Sequence, residues 1–275
     1  MDIINILKDE LGIKRTQAET AVKLIDEGNT IPFIARYRKE MTGSLDDETL
    51  RNLDERLKYL RNLQDRKDAV LKSIEEQGKL SEELKKQIEE AVTLVTVEDL
   101  YRPYKQKKRT RAMIAREKGL EPLANLIFLQ ASNDPKEDAK EYADPGKGVE
   151  TPEEALQGAK DILAEMISDD AKYREWIRRS FKENGRILSG AKKQGEKSVY
   201  EMYYDFEEPV KKAAGYRILA MNRGEKEGFL SVKIEPDNEK IAAYLARNVV
   251  KKQKHPTTKY LLEAIEDSYK RLIAP

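Results

Sequence analysis

Residues 45–77 read LDDETLRNLDERLKYLRNLQDRKDAVLKSIEEQ and contain neither proline nor glycine. The first leucines of this stretch are separated by three or four residues, as in a heptad: Leu50, Leu53, Leu57 and Leu60. Asp46 offers an N-cap, and Gly78 follows as a helix stop. At about 1.5 Å per residue such a helix is roughly 50 Å long. We therefore predict a central strut that packs against several different elements along its length.

Shorter helical segments are predicted on both sides of this strut. Before it, the apolar spacing predicts helices over residues 2–11, 14–27 and 31–42. After it, the same reasoning predicts helices over residues 81–92, 97–101, 110–118, 122–127, 151–166, 171–182, 238–252 and 256–273. The 151–166 helix begins with a predicted capping box, in which Thr151 and Glu154 exchange hydrogen bonds with the backbone.

Strand signals are scarce. The residue pattern of Phe229–Ile234 is typical of a strand. A lone strand needs a partner, which would lie near Arg186–Leu188 or outside the chain. The glycine-containing stretch Asn222–Gly228 is predicted to be a turn. The predicted fold is mainly α, with a helix-turn-helix N-terminal part, a long central helix, a helical scaffold and at most a minor β element near 229–234. We divide it into residues 1–43, 44–185 and 186–275.

The composition limits the classes of function. Lys and Arg number 52 and Asp and Glu 51, so affinity for a polyanion must come from local patches. Cysteine is absent, which removes disulfides and thiolate chemistry and fits a reducing compartment. No apolar run is long enough to span a membrane, and the start of the chain lacks the pattern of a signal peptide. These features predict a cytoplasmic protein that does not bind membranes.

Catalytic and metal-binding patterns are weak. The single histidine, His255, stands between Lys254 and Pro256, a site that we expect to be exposed and without an orienting partner. The stretch Asn222–Gly228 lacks the lysine-serine ending of a phosphate-binding loop, and its acidic residues would repel phosphate. Carboxylates follow the spacing of solvated helix faces. We predict no catalytic residue, no metal site and no cofactor, hence a protein that is not an enzyme.

The helix that starts near Thr30 is the first candidate binding element. About a third of a turn of this helix carries apolar side chains, namely Phe33, Ile34, Tyr37 and Met41. The remaining arc carries the cations Arg36, Arg38 and Lys39. With the preceding helix and the Glu-Gly-Asn turn, this pattern indicates a helix-turn-helix whose second helix presents cations to phosphates or a major groove. The alternative is a pair of packed helices with a solvated basic edge.

The second candidate is the most basic segment, residues 102–118, where eight cations stand against Glu117 alone, a formal charge of +7. Its predicted binding residues are Arg102, Lys105, Lys107, Lys108, Arg109 and Arg111. Tyr101 and Tyr104 flank its start, and clustered cations beside aromatics are typical of phosphate-backbone and single-strand binding. The alternative is an exposed loop that neutralises the acidic 75–99 segment.

Asp26–Glu40 reads DEGNTIPFIARYRKE and closely resembles the N-terminal region of the Tex family, bacterial transcription accessory proteins. Further matching stretches are Gly43–Asp47, Glu76–Leu80, Glu98–Lys105, Arg109–Arg111, Gly119–Leu123 and Tyr216–Gly224 with Glu227–Gly228. The resemblance implies a helical N-terminal portion with a helix-turn-helix, followed by an RNase-H-like (YqgF) domain, a helix-hairpin-helix module and an S1 RNA-binding domain. The chain ends before the RNase-H-like domain is expected, and the resemblance supplies no catalytic residue.

These observations lead to two hypotheses for the function. The first is a non-catalytic, nucleic-acid-associated transcription accessory module that binds RNA or DNA and contacts the transcription machinery. The second is an architectural or protein-binding scaffold that has no affinity of its own for nucleic acid. A hydrolase is a third class, and the single histidine and the scarcity of strands argue against it.

Overall fold

The computed structural model describes residues 1–193 and 195–274. Contacts within the chain group residues 1–104 into a first unit and the residues from Lys105 onward into a second. The boundary after residue 104 differs from those predicted after residues 43 and 185, which it does not test, and the three-part division stays a prediction.

The first unit is built from α-helices. In chain order they are α1 Ile3–Leu11, α2 Arg15–Asp26, α3 Ile31–Tyr37, α4 Asp47–Glu76, α5 Glu82–Glu90 and α6 Leu94–Tyr101. The helix α4 is the predicted strut. Its N-terminus is capped by Asp46, whose carboxylate accepts a hydrogen bond from the Thr49 backbone N–H at 2.7 Å. Beyond its end, Gly78 adopts a left-handed φ of 65° that suits glycine.

Two hydrophobic cores share the length of α4. The first half of α4 buries the predicted leucines against α1, α2 and α3, with Leu7 and Ile34 fully enclosed. The second half buries Leu63, Val70 and Ile74 against α5 and α6. A long helix with two cores is what the strut prediction required, because no single small element could cover a helix of this length.

Lys67 occupies a position in the buried stripe of α4 that an apolar residue would normally take. Its side chain is 3% exposed, and its ammonium donates a hydrogen bond of 2.7 Å to the backbone carbonyl of Glu89. That carbonyl belongs to the last turn of α5, where helix carbonyls lack an intrahelical partner. Burial lowers the pKa of Lys67, and the nearby Glu89 carboxylate opposes that shift. Lys67 is not among the residues predicted from the sequence.

The second unit combines helices with a small sheet. Its helices are α7 Arg111–Glu117, α8 Glu121–Phe128, α9 Pro135–Lys140, α10 Pro152–Asp169, α11 Ala171–Asn184, α12 Gly215–Lys226, α13 Asn238–Val249 and α14 Thr258–Asp267, which continues as a π-helical turn over Ser268–Ile273. The helix α10 packs against α7, α8, α9 and α14 and carries most of this core. Thr151 caps α10, but Glu154 accepts from the N–H of Glu150 rather than from that of Thr151 as a capping box requires.

The sheet contains the strands β1 Arg186–Ala191, β2 Asp205–Pro209 and β3 Leu230–Glu235. They are antiparallel in the order β2-β1-β3, and Ile187 pairs with Ile234. The partner of the predicted strand therefore lies within the chain, at the position near residues 186–188 that the sequence suggested. The strand β2 was not predicted, because its acidic sequence DFEEP has little strand propensity.

The predicted turn over Asn222–Gly228 is wrong. The helix α12 continues through Lys226, and the turn is confined to Glu227 and Gly228, with a φ of 87° at the glycine. Gly224 lies inside α12 because the helix packs closely on β3. A Cβ at this position would lie 2.7 Å from Leu230 Cδ1, which leaves no room for any other residue.

The predicted fold class is confirmed. About two thirds of the chain is helical, and the sheet is a minor element that includes the 229–234 region. Among residues 1–193 and 195–274, no helix combines the length and the apolar character that crossing a bilayer requires.

Candidate nucleic-acid interface

Three of the predicted binding residues lie together at the carboxyl end of α3. Ile34, which is fully buried, holds this short helix in the first core. Arg36 lies in the last turn, Arg38 is the C-cap residue and Lys39 follows directly. All three side chains are exposed. Three positive charges therefore lie within four residues at one end of α3.

The apolar residues predicted to share one arc of this helix are mostly exposed. Ile34 is buried as expected, but Phe33, Tyr37 and Met41 are 36%, 66% and 58% exposed. The helix α3 ends at Tyr37, so Met41 is not on the helix at all, contrary to the prediction. Gly43 and the following serine adopt left-handed φ values of 62° and 65°, which turn the chain toward α4.

The exposed aromatic rings of α3 are ordered by a neighbouring cation. The rings of Phe33 and Tyr37 lie 5.2 Å apart at an angle of 43°. The Arg38 guanidinium lies 5.2 Å from the centre of the Phe33 ring and donates a hydrogen bond of 3.2 Å to the Tyr37 carbonyl. The cation is thus positioned by a π face and a backbone oxygen, and its charge is not neutralised by these contacts.

Carboxylates near this group are few. In the part of the chain that the structure describes, no carboxylate lies within 4 Å of the charged atoms of Arg36, Arg38 or Lys39. Asp46 has a lowered pKa chiefly because Thr49 donates hydrogen bonds to it, and the charge of Lys39 adds a smaller effect. The α3 cations therefore keep their charge available to solvent.

The basic segment 102–118 is divided between the two units. Arg102 lies in a short 3-10 turn, Arg102–Tyr104, that ends the first unit, and Lys105 begins the second. Thr110 caps the helix α7, whose first residue is Arg111. The segment is therefore not one continuous basic surface of a single unit.

Lys107 is an internal ion-pair partner. Its ammonium pairs with Asp169 and lies 3.4 Å from the carboxylate of Glu165. Glu165 is 7% exposed and also accepts hydrogen bonds from the Thr110 hydroxyl at 3.0 Å and from Arg116 at 2.7 Å. Lys107 and Arg116 therefore neutralise acids of α10, and Lys107 holds the loop before α7 against that helix.

The protonation state of Glu165 follows from these contacts. Burial alone would raise the pKa of its carboxyl group. The hydrogen bond from Arg116, the charge of Lys107 and the hydrogen bond from Thr110 act in the opposite direction and outweigh it, so the pKa of Glu165 lies below its ordinary value. The carboxylate is ionised at neutral pH and fixes two cations.

The other cations of the segment are more accessible. Lys105, Lys108, Arg109 and Arg111 are exposed, and Arg109 lies 3.5 Å from Glu117. Arg111 lines a cavity of about 440 Å³ together with Asp161. Its positive charge favours the ionised form of Asp161 and of Asp267, and so acts to lower the pKa of both carboxyl groups. Burial nevertheless raises the pKa of Asp161. Lys107 is thus neutralised by two acids, Arg111 interacts with internal acids, and Lys108 is exposed.

The histidine prediction needs correction. His255 is half-buried, and its Nδ1 lies 2.9 Å from the Thr257 hydroxyl, so a partner is present two residues away. The Thr258 N–H also bonds the His255 carbonyl, which places the histidine in the turn that begins α14. Across residues 1–193 and 195–274, no group of three metal-binding side chains is present.

Comparison with known proteins adds two domain matches. The family described as "Tex-like protein N-terminal domain" matches residues 1–75, and the one described as "Tex central region-like" matches residues 130–274. The N-terminal match contains α1 to α3 and nearly all of α4. The central match contains α10 with Glu165, and the sheet.

Individual relatives agree with these matches. The protein YdcI of Bacillus subtilis is 49% identical over 97% of this chain and 38% of its own length. The transcriptional accessory protein Tex of Neisseria gonorrhoeae is 44% identical over 88% of this chain and 32% of its own length. The human S1 RNA-binding domain-containing protein 1 is 30% identical over 100% of this chain and 29% of its own length. The chain spans about a third of the length of these relatives.

Proposed function

The chain belongs to the family of Tex-like proteins, and on this premise we propose that it is a non-catalytic, nucleic-acid-associated module of a transcription accessory protein. It works in the cytoplasm and contacts RNA or DNA by its phosphate backbone, and the transcription machinery is its second partner. The gonococcal relative is named a transcriptional accessory protein, and the human relative is named for an S1 RNA-binding domain. Both names support this class of function.

The observation that carries the proposal is the group of unpaired cations at the end of α3. Arg36, Arg38 and Lys39 are exposed and keep their charge, so each can displace a counterion from a phosphate. The predicted helix-turn-helix consists of α2 and α3. In such motifs the N-terminal residues of the second helix read base edges, whereas these cations lie at its other end. Phosphate contact without sequence reading is the mode that this placement favours.

The predicted residues of the basic segment have unequal roles in this proposal. Lys105, Lys108 and Arg109 are exposed cations of the second unit and offer phosphate contacts separate from those of α3, with Arg109 weakened by Glu117 at 3.5 Å. Arg102 and Arg111 contribute less because they are less accessible or attracted to internal acids. Lys107 is assigned a structural role, because Asp169 and Glu165 hold it. A side chain that contacts a phosphate must be accessible to it, and the ammonium of Lys107 is already occupied by these two acids.

A specific observation favours the scaffold as a second candidate. Three arginines of α4 bind acids of other helices in the first unit: Arg56 with Glu10, Arg61 with Asp26, and Arg66 with Glu98. These pairs hold α1, α2 and α6 on the strut. In this alternative the chain positions other domains or the transcription machinery and has no affinity for nucleic acid.

The proposal is tested by titrating the chain into fluorescent single- and double-stranded oligonucleotides at low and moderate salt. The variant Arg36→Glu/Arg38→Glu/Lys39→Glu should lower the affinity at least about tenfold, because three phosphate contacts become repulsive. The matched control is Lys72→Glu/Lys79→Glu/Lys85→Glu, which changes the charge of the same unit equally at exposed positions. Equal losses in both variants, or no binding by the unmodified chain at low salt, would reject the proposal and leave the scaffold.

A further inference from the structure

The exposed face of α12 is the feature that the nucleic-acid proposal leaves unexplained. Tyr216 and Leu219 are 67% and 71% exposed on this helix, although large apolar side chains are normally buried. At 100° per residue, Tyr216, Leu219, Arg223 and Lys226 fall within an arc of about 80°. The buried residues Met221 and Gly224 lie on the roughly opposite side and pack toward the sheet. The four exposed residues, here called the α12 stripe, form an apolar half and a basic half.

The aromatic end of the α12 stripe is held in place. Arg217 donates a hydrogen bond of 3.1 Å to the Tyr216 hydroxyl, and its guanidinium lies 5.5 Å from the centre of that ring. The same guanidinium donates a 2.6 Å bond to Glu208, which is 7% exposed. Because a buried acid fixes the arginine and the arginine fixes the ring, Tyr216 is preorganised for contact.

The acids around α12 are engaged internally, whereas four cations on or beside this helix are not. Besides Glu208, Glu225 accepts a 3.0 Å hydrogen bond from the Val232 backbone N–H, and Glu227 hydrogen-bonds Tyr200. Four cations on or just before α12 are exposed and have no carboxylate within 4 Å among the described residues: Lys211, Lys212, Arg223 and Lys226. The surface beside the apolar residues is therefore positive.

We infer that the α12 stripe docks an acidic amphipathic helix of a protein partner. Such a helix presents apolar anchors at spacings of three and four residues to Tyr216 and Leu219, and its carboxylates meet Arg223 and Lys226. A nucleic acid fits less well, because bases stack on aromatic rings and gain little from an exposed leucine. The inference uses no part of α3 and stands apart from the nucleic-acid proposal.

The test uses two fluorescent peptides, each about five helical turns long, with leucines at the same helix-face positions. One peptide has glutamates at all other positions, and the other has lysines. The unmodified chain should bind the glutamate peptide and should not bind the lysine peptide. Leu219→Ser should weaken binding of the glutamate peptide at least about tenfold, as loss of a central apolar anchor does.

Two further variants sharpen the test. Leu262→Ser removes a 45% exposed leucine from α14 and should leave the peptide affinity unchanged. Arg223→Glu/Lys226→Glu should exchange the preference, so that the lysine peptide binds and the glutamate peptide does not. All substituted positions are exposed, and circular dichroism should report unchanged helix content.

Four results would each overturn the inference. The lysine peptide could bind the unmodified chain as tightly as the glutamate peptide, or Leu219→Ser could have no effect on peptide affinity. Leu219→Ser could instead weaken oligonucleotide binding, which would assign the stripe to nucleic acid. Sedimentation could show that Leu219→Ser dissociates a dimer of the chain, which would assign the stripe to a second copy.

Discussion

The carboxyl end of α3 and the loop before α7 are both rich in cations, and the structure treats them differently. Arg36, Arg38 and Lys39 lie at the end of a short helix, and among the described residues no carboxylate lies within 4 Å of their charged atoms. Lys107, at the centre of the more basic segment, is held by Asp169 and Glu165. The formal charge of a segment therefore does not measure its attraction for a polyanion, because the neutralising acids can come from a distant part of the chain.

The contrast has a physical origin in α10. Glu165 lies on the buried side of that helix, where an unpaired carboxylate would lower the stability of the fold. Arg116, Thr110 and Lys107 therefore surround it as partners. No comparable buried acid lies at the end of α3. Loss of charge should therefore affect folding stability at the loop before α7 and polyanion binding at the end of α3.

The largest effect is expected for Glu165→Gln. Removing this buried carboxylate leaves Lys107 with Asp169 alone and Arg116 with the exposed Glu121, and loss of one member of a buried ion pair destabilises a protein by about 3–5 kcal/mol. Urea unfolding followed by Trp176 fluorescence measures it, because this is the single tryptophan and lies in the second unit. The exposed control Glu175→Gln should change the free energy of unfolding by less than about 1 kcal/mol.

If Glu165→Gln were as stable as the unmodified chain, Glu165 would not be the acid that fixes Lys107 and Arg116. The contrast between the two basic groups would then rest on the pairing of Lys107 with Asp169 alone.

A smaller effect is expected for Lys107→Met. The substitution keeps most of the apolar stem but leaves Asp169 and Glu165 without this partner, which should cost about 1–3 kcal/mol. Lys108→Met, at the next and exposed position, should change the stability by less than about 0.5 kcal/mol. The same urea titration compares the two variants, and equal effects would show that neighbouring lysines of this loop are equivalent.

The pH dependence gives a finer test of the same site. The pKa of Glu165 in the folded chain lies below its ordinary value of 4.5, so its contribution to stability is complete above pH 4.5 and is lost as the pH falls through the folded value. The difference in free energy of unfolding between the unmodified chain and Glu165→Gln should therefore shrink as the pH falls below 4.5. Asp161, whose pKa is raised, is present in both proteins and cancels from the difference. A difference independent of pH would contradict the ion-pair assignment.

The sequence predicts the fold well where local signals act alone. The strut is predicted over residues 45–77 and observed over Asp47–Glu76, because Asp46 and Gly78 give unambiguous end signals. The end of α3 is misplaced by several residues, because the left-handed turn at Gly43 and Ser44 is stabilised by a hydrogen bond from Gln17 of α2, a contact that local spacing cannot reveal.

The candidate site is less predictable than the fold. The helical spacing of α4 places Lys67 in the buried stripe, and that of α10 places Glu165 beside Ile162, so a search for charged residues in apolar stripes could have found both. The pairing of Lys107 with Asp169 joins residues 62 positions apart and leaves no local signal. The α12 stripe was not predicted, because in the sequence alone Gly224 indicates a turn. In the structure Gly224 lies inside the helix, where it allows close packing on Leu230.

The salt dependence of oligonucleotide binding compares the two basic groups most directly. Each lost phosphate contact lowers the slope of log affinity against log salt by about 0.9, so Arg36→Gln/Arg38→Gln/Lys39→Gln should lower it by about 2–3. Lys107→Gln/Lys108→Gln/Arg109→Gln removes the same number of charges and should lower it by about 1, because Lys107 is paired internally and Arg109 lies 3.5 Å from Glu117. If the second variant flattened the slope more than the first, the cations of α3 would not be the principal phosphate contacts and the account would be wrong.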